Sequence, residues 1–355
     1  MILDNIKEIE KLDSQNMLGS LQLLSKQIEE VLESSKNLKV PANYKKIDRI
    51  LVLGMGGSAL GAHIFKSVFK SELKVPVEIL NDYEVPEFVN NKTLVIGSSY
   101  SGNTEEVVNA LKQAKLKKGK IIIISSGGKL ASFAKNNKLP ALIFSTNNNP
   151  CGSPRMGLGY SIVGQLILLG ELGLIKLTKK QINELALTFS KYDGLFGVFV
   201  KTKDNPAKMI ARDIKNRSVW YVASEHLSGN VHVAANQMNE NAKRFAGYFL
   251  IPELNHHLLE GMINPVENKK NLVFLFLDSN LYHKRNQKRF EITAQVLDKN
   301  KISHVSYYLA EKDKLGQACE SLVLGSYVSY YRALLDGIDP TDIPFVDFFK
   351  EQLSK

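Results

Sequence analysis

The chain reads as an α/β protein built from two doubly wound subdomains, each with a mainly parallel central sheet flanked by helices. Three observations predict this. Near-continuous Val/Ile/Leu runs such as RILVLG, TLVIGSS and KIIIISS alternate with helical segments, the pattern of strands buried on both faces. The alternation occurs twice, with a long helical stretch in between. The chain has 355 residues, more than a single ordinary core organises.

The elements follow in order. Apolar residues at helical spacing (Ile6, Ile9, Leu12, Leu18, Leu21, Leu24, Ile28) predict one or two opening helices, ended by VPANYKK. Strand RILVLG leads into helix SALGAHIFKSVFK, and strands VPVEIL and TLVIGSS into helix NTEEVVNALKQAKLK. Strand KIIIISS, the short helix KLASFAKNN and strand ALIFST complete the first half. A polar loop, NNNPCGSPRMG, precedes helices over roughly 157–215. The second alternation runs SVWYVAS (strand), GNVHVAANQMNENAKR (helix), GYFLIP and NLVFLFL (strands), RNQKRFEITAQVLDK (helix) and SHVSYYL (strand). Helices over about 316–336 and at FVDFFKEQL close the chain. The expected division is a helical segment over 1–40, a first α/β domain over 41–195 and a second over 196–355.

Composition narrows the function classes. Hydrophobic residues make up 44% and charged residues 23%, the balance of a soluble globular protein. No apolar run reaches the roughly 18 residues that span a bilayer, and MILDNIKEIEKL lacks the apolar core of a signal peptide. Cys151 and Cys319 have no metal-ligand spacing, which fits a reducing, cytoplasmic setting with neither a disulfide scaffold nor a zinc site. The net charge of +10 suits either nucleic acid or an anionic small substrate. The lysines are scattered, with short clusters such as KLKKGK, and no RNP strand, zinc finger or basic helix accompanies them. A small anion is the expected partner, with no nucleic acid and no membrane.

Two loops carry the chemistry. LVLGMGGSALG (Leu51 to Gly61) and LVIGSSYSGNTEEV (Leu94 to Val107) each run a buried strand into small hydroxylated residues and then a helix. In open α/β sheets ligands sit beyond the carboxyl ends of the strands. Gly54, Gly56 and Gly57 let backbone N–H groups approach a ligand closely, and Ser58 stands where a helix dipole is positive. Ser99, Ser101 and Thr104 add hydroxyls at the second helix start. Two helix N-termini and four hydroxyls suit a dianion. Neither the Lys-Ser/Thr ending of a P-loop nor a G-x-G-x-x-G spacing is present. Tight βα turns with ordinary capping residues are the competing explanation, and two hydroxyl-rich loops weigh against it.

The pair GMGGSALG and SYSGNTEE resembles the phosphosugar loops of sugar isomerase (SIS) domains. PRMGLGY, NQMNENAK, PELNHH and DPTDIPFVDFFKEQL, in that order along almost the whole chain, resemble the bifunctional phosphoglucose/phosphomannose isomerase family. The resemblance implies two SIS-type subdomains and a phosphate site at Gly57, Ser58, Ser99, Ser101 and Thr104. It implies that Glu240 moves a proton between C1 and C2 and that Arg155 stabilises the enediol. His256 and a lysine of the last helix, placed at Lys350, would serve ring opening. His257 and Leu258 stand where the family usually has Asn and Glu, so a second histidine competes; His256 is favoured because it directly follows Asn255. Thr341 in DPTD is implied as a specificity residue. The resemblance also implies a homodimer whose active sites are shared, with His256 reaching the partner's site.

The chemistry is coherent without the family name. Aldose–ketose isomerisation through a cis-enediol needs a carboxylate base tuned towards neutrality, a donor for the developing oxyanion and an acid/base to open the ring. Glu240, set among Gln237, Asn239 and Asn241 beside an apolar strand, suits the first. An arginine suits the second and a histidine the third. This route requires no metal and no cofactor. The expected reaction interconverts glucose 6-phosphate and fructose 6-phosphate, with mannose 6-phosphate as a second substrate. The alternatives are a non-catalytic regulatory SIS protein that binds sugar phosphates, and a monofunctional isomerase.

Overall fold

A computed structural model describes residues 2–353 and 355. The chain opens with helices α1 (Ile6–Leu12), α2 (Met17–Gln22) and α3 (Leu24–Ser35). Strand β1 (Arg49–Leu53) is followed by α4 (Leu60–Val68), β2 (Val77–Leu80), β3 (Thr93–Ser99), α5 (Glu105–Leu116), β4 (Lys120–Ser125), α6 (Gly128–Asn136) and β5 (Ala141–Ile143). Next come α7 (Gly164–Glu171), α8 (Lys179–Phe196) and α9 (Pro206–Ile214). The second alternation is β6 (Ser218–Ser224), α10 (Ser228–Ala242), β7 (Ala246–Ile251), α11 (Leu254–His257), α12 (Asn268–Asn271), β8 (Leu272–Asp278), α13 (Lys284–Lys299) and β9 (Ser303–Tyr308). Helices α14 (Lys314–Leu335) and α15 (Pro344–Leu353) end the chain.

The chain forms two compact units. One is Leu23–Ser190; the other joins residues 2–22 to Lys191–Lys355. The opening helices are therefore shared out, α1 and α2 to the C-terminal unit and α3 to the N-terminal one, and the later boundary falls within α8.

Each unit holds a wholly parallel sheet. In the N-terminal unit the order is β2-β1-β3-β4-β5, and in the C-terminal unit β7-β6-β8-β9. β3, at the centre, is buried along its whole length, as expected for a strand with helices on both faces. Its core joins Leu51, Val95, Ile121 and Ile123 from the sheet to Val107, Leu111 and Leu130 from α5 and α6. The order 2-1-3-4-5 reverses direction between β1 and β3. At such a switch point the two following loops diverge and leave a crevice beyond the strand ends. The two glycine- and serine-rich loops are the ones that leave β1 and β3.

Candidate active site

The first loop turns through a short 3-10 segment, Gly56–Ser58, before α4. The Ser58 N–H is used within that turn, donating to the Met55 carbonyl at 3.1 Å. The Ser58 side chain is buried, and its Oγ accepts the Tyr100 N–H at 2.8 Å. Ser98 Oγ donates to the Ser58 carbonyl at 2.8 Å. The β1 and β3 loops are thus cross-braced by hydroxyls. Accepting from Tyr100 leaves the Ser58 O–H to donate.

The second loop is built in the same way. Ser99 is buried, and its Oγ pairs with Thr104 Oγ1 at 2.7 Å while accepting the Gly102 N–H at 3.1 Å. Ser101 is exposed and Thr104 half-buried. Thr104 is the N-cap residue of α5, yet its side chain makes no cap hydrogen bond. Ala59, ahead of α4, has no side chain able to cap. Neither helix start therefore has a side-chain acceptor from its cap residue, and such a start is a local field that favours an anion. Ser58 and Ser99 shape the loops from buried positions; Ser101 is exposed, and half-buried Thr104 shares its hydroxyl with Ser99.

Gly102 was not singled out by sequence. Its φ is +72°, and a Cβ there would lie 1.9 Å from the Gly127 carbonyl oxygen. The loop after β3 thus rests directly on the loop after β4. The Gly102 carbonyl accepts the Leu130 N–H at 3.0 Å, and Asn103 Oδ1 accepts the Lys129 N–H at 3.1 Å, so the start of α6 holds the second loop.

Arg155 lies in a short 3-10 turn, Pro154–Met156, and is 2% exposed. Its backbone packs on the first loop: a Cβ at Gly57 would lie 3.1 Å from Arg155 N and from the Pro154 carbonyl oxygen. A Cβ at Gly157 would lie 2.5 Å from the Tyr100 ring. Tyr100 in turn accepts from Asn149 Nδ2 at 2.8 Å through its hydroxyl. In the N-terminal unit the Ser58 loop and the Arg155 turn are therefore packed on one another, with Tyr100 of the second loop touching both. The run SSYS carries Ser98 and Tyr100, but their bracing roles depend on β1 lying beside β3.

In the C-terminal unit Glu240 is half-buried in the last turn of α10. The polar residues around it have separate tasks. Gln237 and Asn241 are fully buried and donate to Ser326 Oγ (2.9 Å) and Ser329 Oγ (3.0 Å) of α14. Asn239 donates to the Ala235 and Ala246 carbonyls and accepts the Ala246 N–H at 3.0 Å, sewing the helix end to β7. The helix end that carries Glu240 is thereby fixed on both sides, to α14 and to β7. Lys243 closes the helix in the left-handed region, and its Nζ donates to the Asp339 carbonyl at 2.6 Å. The same Asp339 accepts the N–H of buried Thr341 at 2.8 Å. Thr341 therefore belongs to the segment tied to the end of the Glu240 helix.

His256 lies in the single turn α11 after β7. Leu254 anchors this turn in the core, and Asn255 donates to Thr293 Oγ1 of α13 at 2.8 Å. These two contacts turn His256 and His257 outward, and both are exposed. The His257 ring lies 6.0 Å from that of Phe249, on its own chain's β7. Lys350 is exposed on α15. Among the described residues, no group of three or more His, Cys, Asp or Glu side chains is placed to hold a metal ion. No helix there is long and apolar enough to cross a membrane.

Family models match both halves of the chain. The SIS domain family matches residues 43–151, and the family described as bacterial phospho-glucose isomerase C-terminal SIS domain matches residues 203–353. A bifunctional phosphoglucose/phosphomannose isomerase from Caldicellulosiruptor bescii is 34% identical, over 96% of this chain and 99% of its own. Another protein of that name, from Thermoplasma volcanium, is 29% identical over 92% of this chain and 99% of its own. Among solved structures, a hypothetical protein from Thermus thermophilus superposes with a TM-score of 0.71 at 17% identity, covering 98% of this chain and 93% of its own. Tagatose-6-phosphate ketose/aldose isomerase from Escherichia coli gives 0.64 at 15% identity, covering 94% and 93%. At such identities the structural likeness speaks to the fold alone.

Proposed function

This chain belongs to the bifunctional phosphoglucose/phosphomannose isomerase family, and from that premise we propose that it interconverts glucose 6-phosphate, fructose 6-phosphate and mannose 6-phosphate by proton transfer through a cis-enediol. The observation that carries the substrate class is the pair of braced loops at the β1/β3 switch point. Their hydroxyls and uncapped helix starts suit a phosphate dianion. Ser101 and Thr104 donate to it, while Ser58 and Ser99 hold the loops in register.

Glu240 takes the C2 proton of the open-chain aldose as its carbonyl oxygen becomes the enediol oxyanion. Arg155 stabilises that charge by its fixed cation and forked donors. The O2 hydroxyl proton passes to O1 and Glu240 returns the carbon-bound proton to C1, giving the ketose. Return to the opposite face of C2 gives the other aldose, so one base serves both epimers, and Thr341 sets how far each is admitted. His256 and Lys350 open the ring by exchanging protons with the ring oxygen and the anomeric hydroxyl. The working form is a homodimer in which His256 reaches the partner's site. Its exposure on a rigid one-turn helix supports that role.

The test is an assay of purified protein on all three sugar phosphates, followed by mixing of two inactive variants. Conversion of both aldoses to fructose 6-phosphate is expected, and activity on neither overturns the reading. If His256 acts in trans, refolding Glu240→Gln together with His256→Ala generates one intact site per mixed dimer. Activity on glucose 6-phosphate then recovers to about a quarter of wild type under random assembly. A mixture as inactive as its components places both residues in the same chain's site.

A further inference from the structure

Tyr100 belongs to the loop after β3 by its main chain and to another part of the same unit by its side chain. Its N–H donates to Ser58 Oγ at 2.8 Å. Its carbonyl accepts the Ser126 N–H at 3.1 Å and Ser126 Oγ at 2.6 Å. The loops that leave β1, β3 and β4 are therefore joined through this one residue, and any shift of the first two moves Tyr100 with them.

The side chain meets the turn that carries Arg155 on both flanks. Ahead of the turn, the Tyr100 hydroxyl accepts from Asn149 Nδ2 at 2.8 Å, and the same amide nitrogen donates to the Ser153 carbonyl at 2.9 Å. Ser153 is the N-cap residue of the 3-10 turn Pro154–Met156. Behind the turn, the ring lies against Gly157, where a Cβ would sit 2.5 Å from it. Asn149 is 3% exposed, so water does not readily replace the hydroxyl as its partner. Phe144 and Tyr160 back the ring, their centroids 6.0 Å and 6.3 Å away. The first loop closes the circuit, because Gly57, beside Ser58, approaches the backbone of Pro154 and Arg155 directly.

We propose that Tyr100 is a positioning residue that ties the seating of the substrate's phosphate to the placement of Arg155, an inference that rests on the roles given above to the phosphate loops and to Arg155. The chemistry calls for such a tie. The phosphate of a hexose 6-phosphate is at the far end of the sugar from C1 and C2. Binding energy from a group that does not react speeds the reaction only where it is passed on to the reacting centre. A misplacement of about 1 Å caused far from the chemistry can cost about a hundredfold in rate. A dianion that orders the first two loops fixes the Tyr100 main chain. The Tyr100 ring and hydroxyl then fix the Arg155 turn from both sides. The hydroxyl is the separable part of this device, since its partner is Asn149 and not a residue of the phosphate loops.

The test uses the full chain and two variants, with circular dichroism as the check of folding. Tyr100→Phe removes only the hydroxyl and keeps the ring packing, so it is expected to fold; Asn149→Ala removes the partner. Turnover of fructose 6-phosphate by Tyr100→Phe should show a split. Its kcat falls about tenfold or more, while KM stays within about twofold because the phosphate contacts are intact. The double variant should be no slower than Asn149→Ala alone, since both changes cut one contact. Amide exchange gives a readout that needs no catalysis. Inorganic phosphate should slow exchange over residues 99–105 and over 149–157 in wild type, and over 99–105 alone in Tyr100→Phe. An unchanged kcat in an active Tyr100→Phe, a loss confined to KM, or additive losses in the double variant each overturns the inference. So does slowing over 149–157 that persists in Tyr100→Phe or never occurs in wild type. The reaction is read separately: a wild type inactive on all three sugar phosphates, with exchange coupled as described, sinks the isomerase reading and leaves the tie. An active enzyme with uncoupled exchange does the reverse.

Discussion

Replacing Gly102 by Ala should damage the second loop far more than replacing Gly56 by Ala damages the first, although both glycines have positive φ. At Gly102 φ is +72°, and the new methyl would sit 1.9 Å from the Gly127 carbonyl oxygen and 2.7 Å from both Gly127 C and Ser125 Oγ. The nearest obstacles are backbone atoms held by the Ser125–Gly127 hydrogen bonds, so no rotamer change relieves the clash. Displacing Gly102 strains or breaks its bonds to Ser99 Oγ and to the Leu130 N–H, each worth about 1 kcal/mol. The left-handed backbone costs an L-residue about 1–2 kcal/mol, and overpacking adds about 1–3 kcal/mol. The expected loss is about 4 kcal/mol, or roughly 8–15 °C in Tm for a unit of this size. At Gly56 φ is +47° and nothing lies within 4 Å of the added methyl, so only the backbone term, about 1 kcal/mol, applies. The assays are thermal unfolding and calorimetric titration with fructose 6-phosphate. Gly102→Ala should unfold early and lose at least tenfold in affinity, while Gly56→Ala stays within a few degrees of wild type. Equal, small effects of the two substitutions would refute the claim that the β3 loop is held by contact with the β4 loop.

Further outcomes follow from the same structure. Ser101→Ala and Thr104→Val each remove one hydrogen bond to a charged phosphate, about 1.5–3 kcal/mol, so fructose 6-phosphate should bind at least tenfold more weakly in each case; unchanged titration curves would place the phosphate elsewhere. Lys208 is fully buried, and its ammonium donates to the carbonyls of Leu3 (2.6 Å), Val198 (2.8 Å) and Val200 (2.7 Å). Lys208→Met strands those acceptors and should cost about 3–5 kcal/mol, seen as a large fall in Tm. Burial holds the His226 imidazole below its usual pKa, its Nε2 meeting Gln317 Oε1 at 2.9 Å. The unfolded chain then binds a proton that the native state refuses, so this contribution to stability is intact above the unfolded pKa near 6.5 and is lost as pH falls through the lower native value. Denaturant midpoints should decline below pH 6.5, less steeply in His226→Gln; identical slopes would show that His226 does not govern the decline.

The strands were legible because β1, β4 and β8 are nearly unbroken runs of Val, Ile, Leu and Phe, and a strand covered on both faces needs no alternation. The switch point was legible only as two similar loops, since strand order is a tertiary fact. For that reason the sequence did not separate Ser58 and Ser99, which brace the loops from within, from exposed Ser101 and half-buried Thr104. Nor did it find Gly102, whose importance comes from a loop about 25 residues away on a neighbouring strand. Gln237, Asn239 and Asn241 were visible as a polar setting for Glu240, but their separate attachments to α14 and β7 were not. Helical periodicity marked one or two opening helices where there are three, α1 to α3, and did not say which unit each packs on.

The central claim is that Glu240 moves a carbon-bound proton of a sugar phosphate, and the direct measurement is isotope exchange. Fructose 6-phosphate is incubated with the protein in D₂O, and the products are read by proton NMR. Wild type should form glucose 6-phosphate and mannose 6-phosphate carrying deuterium at C2. Glu240→Gln, which keeps the shape of the side chain but not the base, should form neither while still binding the substrate; a contribution of about 10²–10⁴-fold is typical of such a group. Deuterium entering at the wild-type rate in Glu240→Gln, or products formed by wild type with no deuterium at C2 and none at C1 of the remaining ketose, would contradict the account.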